Sequence, residues 1–380
     1  MALVVGTRPE AIKLAPLAKS LLHHGTRPHL VLTGQHLHLC PADYGMPMLP
    51  TTELGCGGQP DPIEHARLVS RAIGSAIAGA DLVIVQGDTS SAFGGALGAQ
   101  QAGIPIAHVE AGLRSHDRRN PWPEEDFRIA IDRLSDLLFA PTWLNAANLR
   151  REGLTGAVHV TGNTGLDALL ERIPLRGAVQ DKRGKRRLLV TCHRRESWGE
   201  GLAGIANCLI ALVRRFDDVA IDMVLHPNPR AADEMKRLLG GRRSIALLAP
   251  CGHVEMLRRM QGSDLILSDS GGMQEEAPAL GIPLLILRDR TERPEGIASG
   301  NAILVGRRPE QILSTVEMLF DNEEALESMR RPSLPYGDGV ASDRIAAIVE
   351  TWIRRGELLS PSPPSATGPA GPSRRFAFQM

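Results

Sequence analysis

Three carboxylates stand out in the first third of the chain, two just beyond apolar runs and one in a loop. Asp88 follows ADLVIVQ in the stretch QGDT, Glu110 follows PIAHV in HVEAG, and Glu124 sits beside Glu125 in the proline-bracketed loop NPWPEED. Residues at the carboxyl ends of neighbouring parallel strands face one crevice, so Asp88 and Glu110 are expected to point into the same space. Like charges in a shared pocket raise one another's pKa, which creates the protonated and ionised partners that proton transfer needs. Read singly, each acid is better explained as solvated charge, and Glu124 and Glu125 as acids favoured at a helix N-terminus. It is the convergence of three that points to acid–base chemistry.

A second constellation lies in SDSGGMQEEAPALG. The apolar run DLILSD reaches Ser270, Gly271 and Gly272 and passes directly into a helix carrying Glu275 and Glu276. A helix N-terminus offers unsatisfied backbone N–H groups and a partial positive charge, Ser270 adds a hydroxyl donor, and the glycines let a phosphate approach the backbone. Glu276, about one and a half turns into the helix, is placed to accept hydrogen bonds from ribose hydroxyls. The run suits a nucleoside diphosphate, although taken alone it fits a tight strand-to-helix turn equally well. Cations recur at comparable strand ends: Arg8 and Lys13 in GTRPEAIK, His193 and Arg194 in TCHRRESWG, His226 in HPNP, Arg290 and Arg293 in RDRTERPEG. A polyanionic ligand is their simplest common cause.

The elements that must position these groups alternate along the chain. ALVVG, HLVLTG, ADLVIVQGD, PIAHVEAG, LLFAPT and AVHVTGN read as strands, and after the charged stretch RGAVQDKRGKRR strands resume with LLVTC, IDMVLHP, IALLAP, DLILSDS and PLLIL. Pro9 suits the first turn of a helix running to His24 and stopping at Gly25, and SSAFGGALGAQQAG reads as a small-residue helix. Near-continuous apolar strands separated by helices predict parallel sheets covered on both faces, hence an α/β fold of two doubly wound Rossmann-like domains with a central cleft. The expected division is residues 1–175 and 186–340, then a C-terminal helix at 341–358 packing back on the first domain. The Pro-, Ser- and Gly-rich residues 359–380 are expected to be disordered.

Composition narrows the function classes. At 380 residues the chain exceeds what one core usually supports. Lys plus Arg and Asp plus Glu both number 43, and no basic run with interleaved aromatics would track a nucleic acid. No apolar stretch reaches the roughly eighteen residues of a membrane span, and MALVVGTRPE lacks a leader pattern, so a soluble cytoplasmic protein with neither nucleic-acid nor membrane partners is expected. The five cysteines are scattered without metal-ligand spacing, so no metal is expected.

In order along the chain, GTRPEAIKLAPL, TGQH, VQGDTSSA, HVEAGLRS, PWPEE, TGNTGLDAL, HRRESWG, HPNP, SDSGGMQEEAPALG and RDRTERPEG resemble the motif series of non-hydrolysing UDP-N-acetylglucosamine 2-epimerases. The resemblance implies the glycosyltransferase-B-like architecture, with UDP held mostly by the C-terminal domain. It implies interconversion of UDP-N-acetylglucosamine and UDP-N-acetylmannosamine for polysaccharide biosynthesis, by elimination of UDP to a glycal and re-addition, without a nicotinamide or other cofactor. By similarity Asp88, Glu110 and Glu124 match the proton-transfer carboxylates and His193 the histidine near the leaving diphosphate; which acid serves which face is left open. Arg8, Lys13, Ser270, Gly271, Gly272, Glu276 and Arg293 match UDP-binding positions, and His226 stands with the cations presumed to surround the phosphates. Gln35 and Arg194 match positions where a second substrate molecule binds as an allosteric activator, and a homodimer is implied. The segment LHLCPADYGMPMLP after TGQH and the loop SHDRRNPWPEED depart from the commoner pattern, which leaves an acetamido-sugar uronate open as substrate. A hydrolysing epimerase and a glycosyltransferase of the same architecture stand as alternatives.

Overall fold

The computed structural model describes residues 1–173, 184–192 and 200–359. The first half runs β1 (Ala2–Val5), α1 (Arg8–His23), β2 (His29–Leu32), β3 (Thr51–Glu53), α2 (Pro62–Ala72), β4 (Val83–Gln86), α3 (Ser90–Gln101), β5 (Ile106–Val109), α4 (Glu124–Leu134), β6 (Leu137–Ala140), α5 (Trp143–Arg151), β7 (Ala157–Val160) and α6 (Thr164–Arg172). The second continues with β8 (Arg186–Thr191), α7 (Glu200–Arg215), β9 (Val219–Val224), α8 (Pro229–Leu239), β10 (Ile245–Leu248), α9 (His253–Gln261), β11 (Leu265–Ser268), α10 (Gly271–Leu280), β12 (Leu284–Ile286), α11 (Glu295–Ala298) and β13 (Ala302–Leu304). Three helices close the described chain: α12 (Pro309–Asp321), α13 (Glu323–Met329) and α14 (Ala341–Leu359).

Every strand pairing is parallel, in two sheets ordered β3-β2-β1-β4-β5-β6-β7 and β10-β9-β8-β11-β12-β13. Each sheet reverses its winding once, between β1 and β4 in the first and between β8 and β11 in the second. At such a reversal the two following loops splay to opposite faces and open a crevice. Arg8 opens the helix after β1, and the loops after β4 and β11 carry Asp88 and Ser270, so the predicted chemistry stands at the two crevices.

The apolar strands are buried on both faces because helices cover both. Along β1 alternate side chains enter different cores: Leu3 and Val5 pack with Leu14, Leu17 and Ile84, whereas Ala2 and Val4 pack with Val83, Val85 and Ala96. The small residues of α3 follow from its approach to α2, since a Cβ on Gly98 would lie 2.1 Å from Ile73 Cγ2. The last helix returns to the first half, where Ile345, Ala346 and Val349 join the cluster of Leu3 and Val5. His24 Nδ1 also lies 3.1 Å from Glu350. α6 bridges the halves, placing Leu166 and Leu169 in the core beneath β11 and β12.

Two strands escaped the sequence reading. β3 and β13 are three residues long and lie at the outer edges of the sheets, partly exposed, so neither carries the apolar run that marks a central strand. α1 ends one residue before the expected stop, with His24 as its cap and Gly25 at φ +82° just beyond. The expected disordered tail lies outside the described residues from residue 360 onward.

Candidate active site

The loop after β1 is built around Glu10. Its buried carboxylate turns back to accept the backbone N–H groups of Gly6 at 2.8 Å and Thr7 at 2.6 Å, and it takes the Thr89 hydroxyl from the loop after β4. Burial raises Glu10 from the ordinary carboxylate range. One side chain thus ties together the two loops that flank the first crevice, fixing Arg8 on one side and Asp88 on the other. Arg8 is exposed, and its backbone N–H donates to His36 Nδ1 at 3.3 Å.

Asp88 is half-buried and held by Arg128 of α4, whose Nε donates at 3.0 Å and whose Nη2 makes a second contact. The same guanidinium reaches Glu125 at 2.6 Å. Burial opposes the Arg128 charge, but Asp88, Glu292 and Glu125 outweigh it and hold the guanidinium above its ordinary value. Glu125 is the buried member of the Glu124–Glu125 pair and accepts the backbone N–H groups of Ser115 and His116, both at 3.0 Å. Glu124 opens α4 as its first residue and is half-buried.

Glu110, just past β5, adopts φ +74°, in the left-handed region that costs an L-residue about 1 kcal/mol. The turn is held by Phe139, whose carbonyl accepts both Glu110 N–H at 3.1 Å and Ala111 N–H at 3.0 Å. This conformation directs the carboxylate across to the second half. Glu110 Oε2 accepts from Lys13 Nζ at 2.7 Å and from the Gln86 amide, while Oε1 accepts from Arg293 Nη2 at 2.7 Å. Burial raises Glu110 from its ordinary value; Lys13 and Arg293 oppose the rise and the neighbouring Glu275 carboxylate adds to it. Burial also disfavours the Lys13 charge, but Glu110 and Glu275 overcome it and hold the ammonium above its usual value.

In the second half Ser270 caps α10, its own N–H donating to Ser268 Oγ at 3.0 Å. A Cβ on Gly271 would lie 3.0 Å from Arg293 Nη1 and 3.1 Å from Cζ, so glycine here gives the guanidinium room to lie over the helix N-terminus. A Cβ on Gly272 would meet only Ser270 Oγ, at 3.9 Å. The loop presenting Arg293 is pinned by buried Tyr336, whose hydroxyl donates to the Arg293 carbonyl and accepts from Gly296 N–H, both at 2.9 Å. Glu276 accepts from His253 Nε2 at 2.6 Å. With Nε2 donating, His253 Nδ1 accepts from Arg172 of α6 at 3.1 Å. His226 accepts the Asn228 N–H at 2.9 Å. Arg290 faces Asp117 of the first half at 3.6 Å. Gln35 is half-buried, and its Oε1 accepts from Ser91 Oγ at 2.7 Å. His193 and Arg194 lie outside the described residues.

Of the residues singled out from the sequence, Lys13, Glu110 and Arg293 are thus in direct contact, and Asp88 lies in a neighbouring network linked through Arg128. Gln35 is bonded to Ser91 of α3, and His226 to Asn228 in its own loop. Among the described residues no group of three or more His, Cys, Asp or Glu side chains is arranged to hold a metal ion.

A family profile described as UDP-N-acetylglucosamine 2-epimerase matches residues 21–350. This chain belongs to the UDP-N-acetylglucosamine 2-epimerase family. It is similar to the UDP-N-acetylglucosamine 2-epimerase of Escherichia coli K12, 35% identical over 373 residues that cover 90% of this chain and 96% of that one. Its fold matches the Neisseria meningitidis UDP-GlcNAc 2-epimerase solved with UDP-GlcNAc, with TM-score 0.85 and 34% identity over 93% of this chain and 99% of that one. The Methanocaldococcus jannaschii enzyme solved with UDP-GlcNAc and UDP matches with TM-score 0.79 and 31% identity over 92% and 99% of the two chains. The two parallel α/β sheets are accordingly those of the glycosyltransferase-B-like architecture.

Four residues in the crevice of this epimerase went unread in the sequence. Glu275 is buried between Lys13 and Arg293, Gln86 donates to Glu110, Arg128 holds Asp88, and His253 holds Glu276. Only Glu275 carried a signal, as one of two adjacent glutamates. The other three are ordinary strand or helix residues until the fold gives them a partner.

Proposed function

We propose that this epimerase interconverts UDP-N-acetylglucosamine and UDP-N-acetylmannosamine without net hydrolysis. A carboxylate removes the proton at carbon 2 while the bond from carbon 1 to the diphosphate breaks, giving a glycal and UDP. Protonation of carbon 2 from the opposite face, with return of UDP to carbon 1, completes the inversion. The sugar nucleotide is taken from the relatives solved with UDP-GlcNAc.

The observation that carries the reading is the setting of Glu110: a buried carboxylate at a switch-point crevice, gripped on both oxygens by cations from the two halves. Burial raises its affinity for a proton, while Asp88 sits half-exposed against Arg128. Two carboxylates in unlike surroundings suit opposite protonation roles on the two faces of carbon 2. Glu124 and His193 complete the proposed acid–base and leaving-group set, with the faces left unassigned. Arg8, Lys13, His226, Ser270, Gly271, Gly272 and Arg293 are the proposed diphosphate contacts and Glu276 the ribose contact. Cations beside the departing diphosphate stabilise the charge that develops there. Closure of the halves keeps the glycal and UDP from water.

The two sheets with their helices serve as domains of residues 1–175 and 186–340. No helix among the described residues is long and apolar enough to cross a membrane. A cytoplasmic homodimer feeding polysaccharide synthesis, with activator contacts at Gln35 and Arg194, completes the reading. The test is proton NMR of UDP-N-acetylglucosamine incubated with the protein in deuterated water. Deuterium at carbon 2 together with UDP-N-acetylmannosamine is the expected result; free N-acetylmannosamine would replace it with the hydrolysing reaction, and an unchanged spectrum would sink it.

A further inference from the structure

We propose that Glu275 is a positioning residue for proton transfer at Glu110: delivered from α10 of the second half, it shares Lys13 and Arg293 with Glu110 and so lets that carboxylate take up and release a proton only when the halves are together. This rests on the acid–base role given to Glu110 above.

Four charges alternate around the junction. Lys13 Nζ lies 2.7 Å from Glu110 Oε2 and 2.9 Å from Glu275 Oε2, and Arg293 closes the ring, with Nη2 2.7 Å from Glu110 Oε1 and Nε 2.6 Å from Glu275 Oε1. No side chain of the four is more than 10% exposed, so solvent does little to screen them. The groups facing Glu110 are Lys13 from α1, Gln86 from β4, Arg293 from the loop after β12 and Glu275 from α10. Glu292 lies on the far side of Arg293 and is itself paired with Arg288 at 2.7 Å.

Charge balance decides what Glu110 can do. With both carboxylates in place, one negative charge can be neutralised by a proton while the other still answers the cations. Glu275 is the member suited to stay ionised: burial disfavours its charge, but Lys13 and Arg293 overcome that and hold it below the ordinary carboxylate range. Without Glu275, Lys13 and Arg293 would both be left to Glu110, which would hold the proton received from carbon 2 less tightly. In the proposed step the carbon–hydrogen pair becomes the carbon 1–carbon 2 double bond, the carbon 1–oxygen pair leaves with UDP, and the proton must rest on the base until the glycal is protonated from its other face. Because Glu275 and Arg293 arrive from the second half, an open enzyme would lack this setting, which ties the proton store to closure.

The test is the pH profile of carbon 2 exchange, measured in both directions for wild type, Glu275→Gln and Glu275→Asp. In Glu275→Gln the limb set by Glu110 should move to lower pH by about one unit with KM changed less than about threefold, whereas Glu275→Asp should keep the limb near its wild-type position. A uniform loss of rate with no displaced limb would overturn the proposal. If Glu275→Gln fails to fold, Lys13→Met must move the same limb to higher pH, and an unmoved limb there is equally fatal. Glu110→Gln separates the two levels of argument. Full exchange in that variant removes Glu110 from the chemistry and this proposal with it, whereas loss of exchange beside an unshifted Glu275→Gln profile overturns the role of Glu275 alone.

Discussion

Lys13 and Glu275 are 262 residues apart in the chain, yet the ammonium lies 3.0 Å from one carboxylate oxygen and 2.9 Å from the other. The contact joins α1 of the first half to α10 of the second through buried charge. Its consequence is that Glu110, the proposed acid–base residue, wedged against the same ammonium, is set by both halves at once. The effects of substitutions around it should divide between chemistry, nucleotide binding and stability.

Glu110→Gln removes the proposed proton carrier but keeps a side chain of similar size at the crevice. Turnover should fall by about a hundredfold or more, with UDP affinity nearly unchanged. Asp88→Asn should behave alike. Steady-state rates paired with calorimetric UDP titration check both, and a large loss of affinity without loss of turnover would reverse the roles.

Glu276→Ala leaves His253 without its 2.6 Å partner and takes away the proposed ribose acceptor. UDP affinity should weaken about tenfold or more, while the carbon 2 exchange rate at saturating substrate should change far less. An unaltered dissociation constant would remove Glu276 from the nucleotide site.

Gly112 holds φ +84°, and a Cβ there would lie 2.4 Å from the Asn145 carbonyl oxygen. Both the conformation and the space exclude alanine, so Gly112→Ala should cost about 2 kcal/mol or more in urea unfolding. Because the same turn aims Glu110, turnover should drop further than the stability loss accounts for. Wild-type stability in the variant would show that the turn relaxes freely.

Asp132 is fully buried against His108 Nδ1 at 2.6 Å and Arg114 Nη1 at 2.7 Å. Burial disfavours its charge, but these two partners prevail and hold it below the usual aspartate value. A folded-state pKa below the unfolded one contributes stability above the unfolded value, about 3.9, which is lost as pH falls through the folded value. Asp132→Asn should therefore melt well below wild type at pH 7, and the gap should narrow below about pH 4. Melting curves from pH 7 to 3 test this, a constant gap being the contrary outcome.

The sequence by itself determined the class of fold and the chemical inventory of the site. Apolar runs such as ADLVIVQ, alternating with helical segments, read as strands buried on both faces, and polar residues that end parallel strands gather at one edge of a sheet. For that reason Asp88, Glu110, Lys13, Ser270 and Arg293 could be singled out as candidates from type and position, although each taken alone fitted a purely structural role as well. What it could not determine was which of two adjacent acids faces which partner. Glu275 and Glu276 stand one residue apart on α10, about 100° around the helix, so one turns to Lys13 and Arg293 and the other to His253. Glu124 and Glu125 part in the same way on α4, where Glu125 is the one bound to Arg128 and the backbone of the preceding loop. Lys13 and Arg293, read as phosphate cations, are in the structure the counter-charges of Glu110 and Glu275. Burial and partner set the protonation of such groups, and both come from residues far away in the chain, so only the packing of the two halves could decide them.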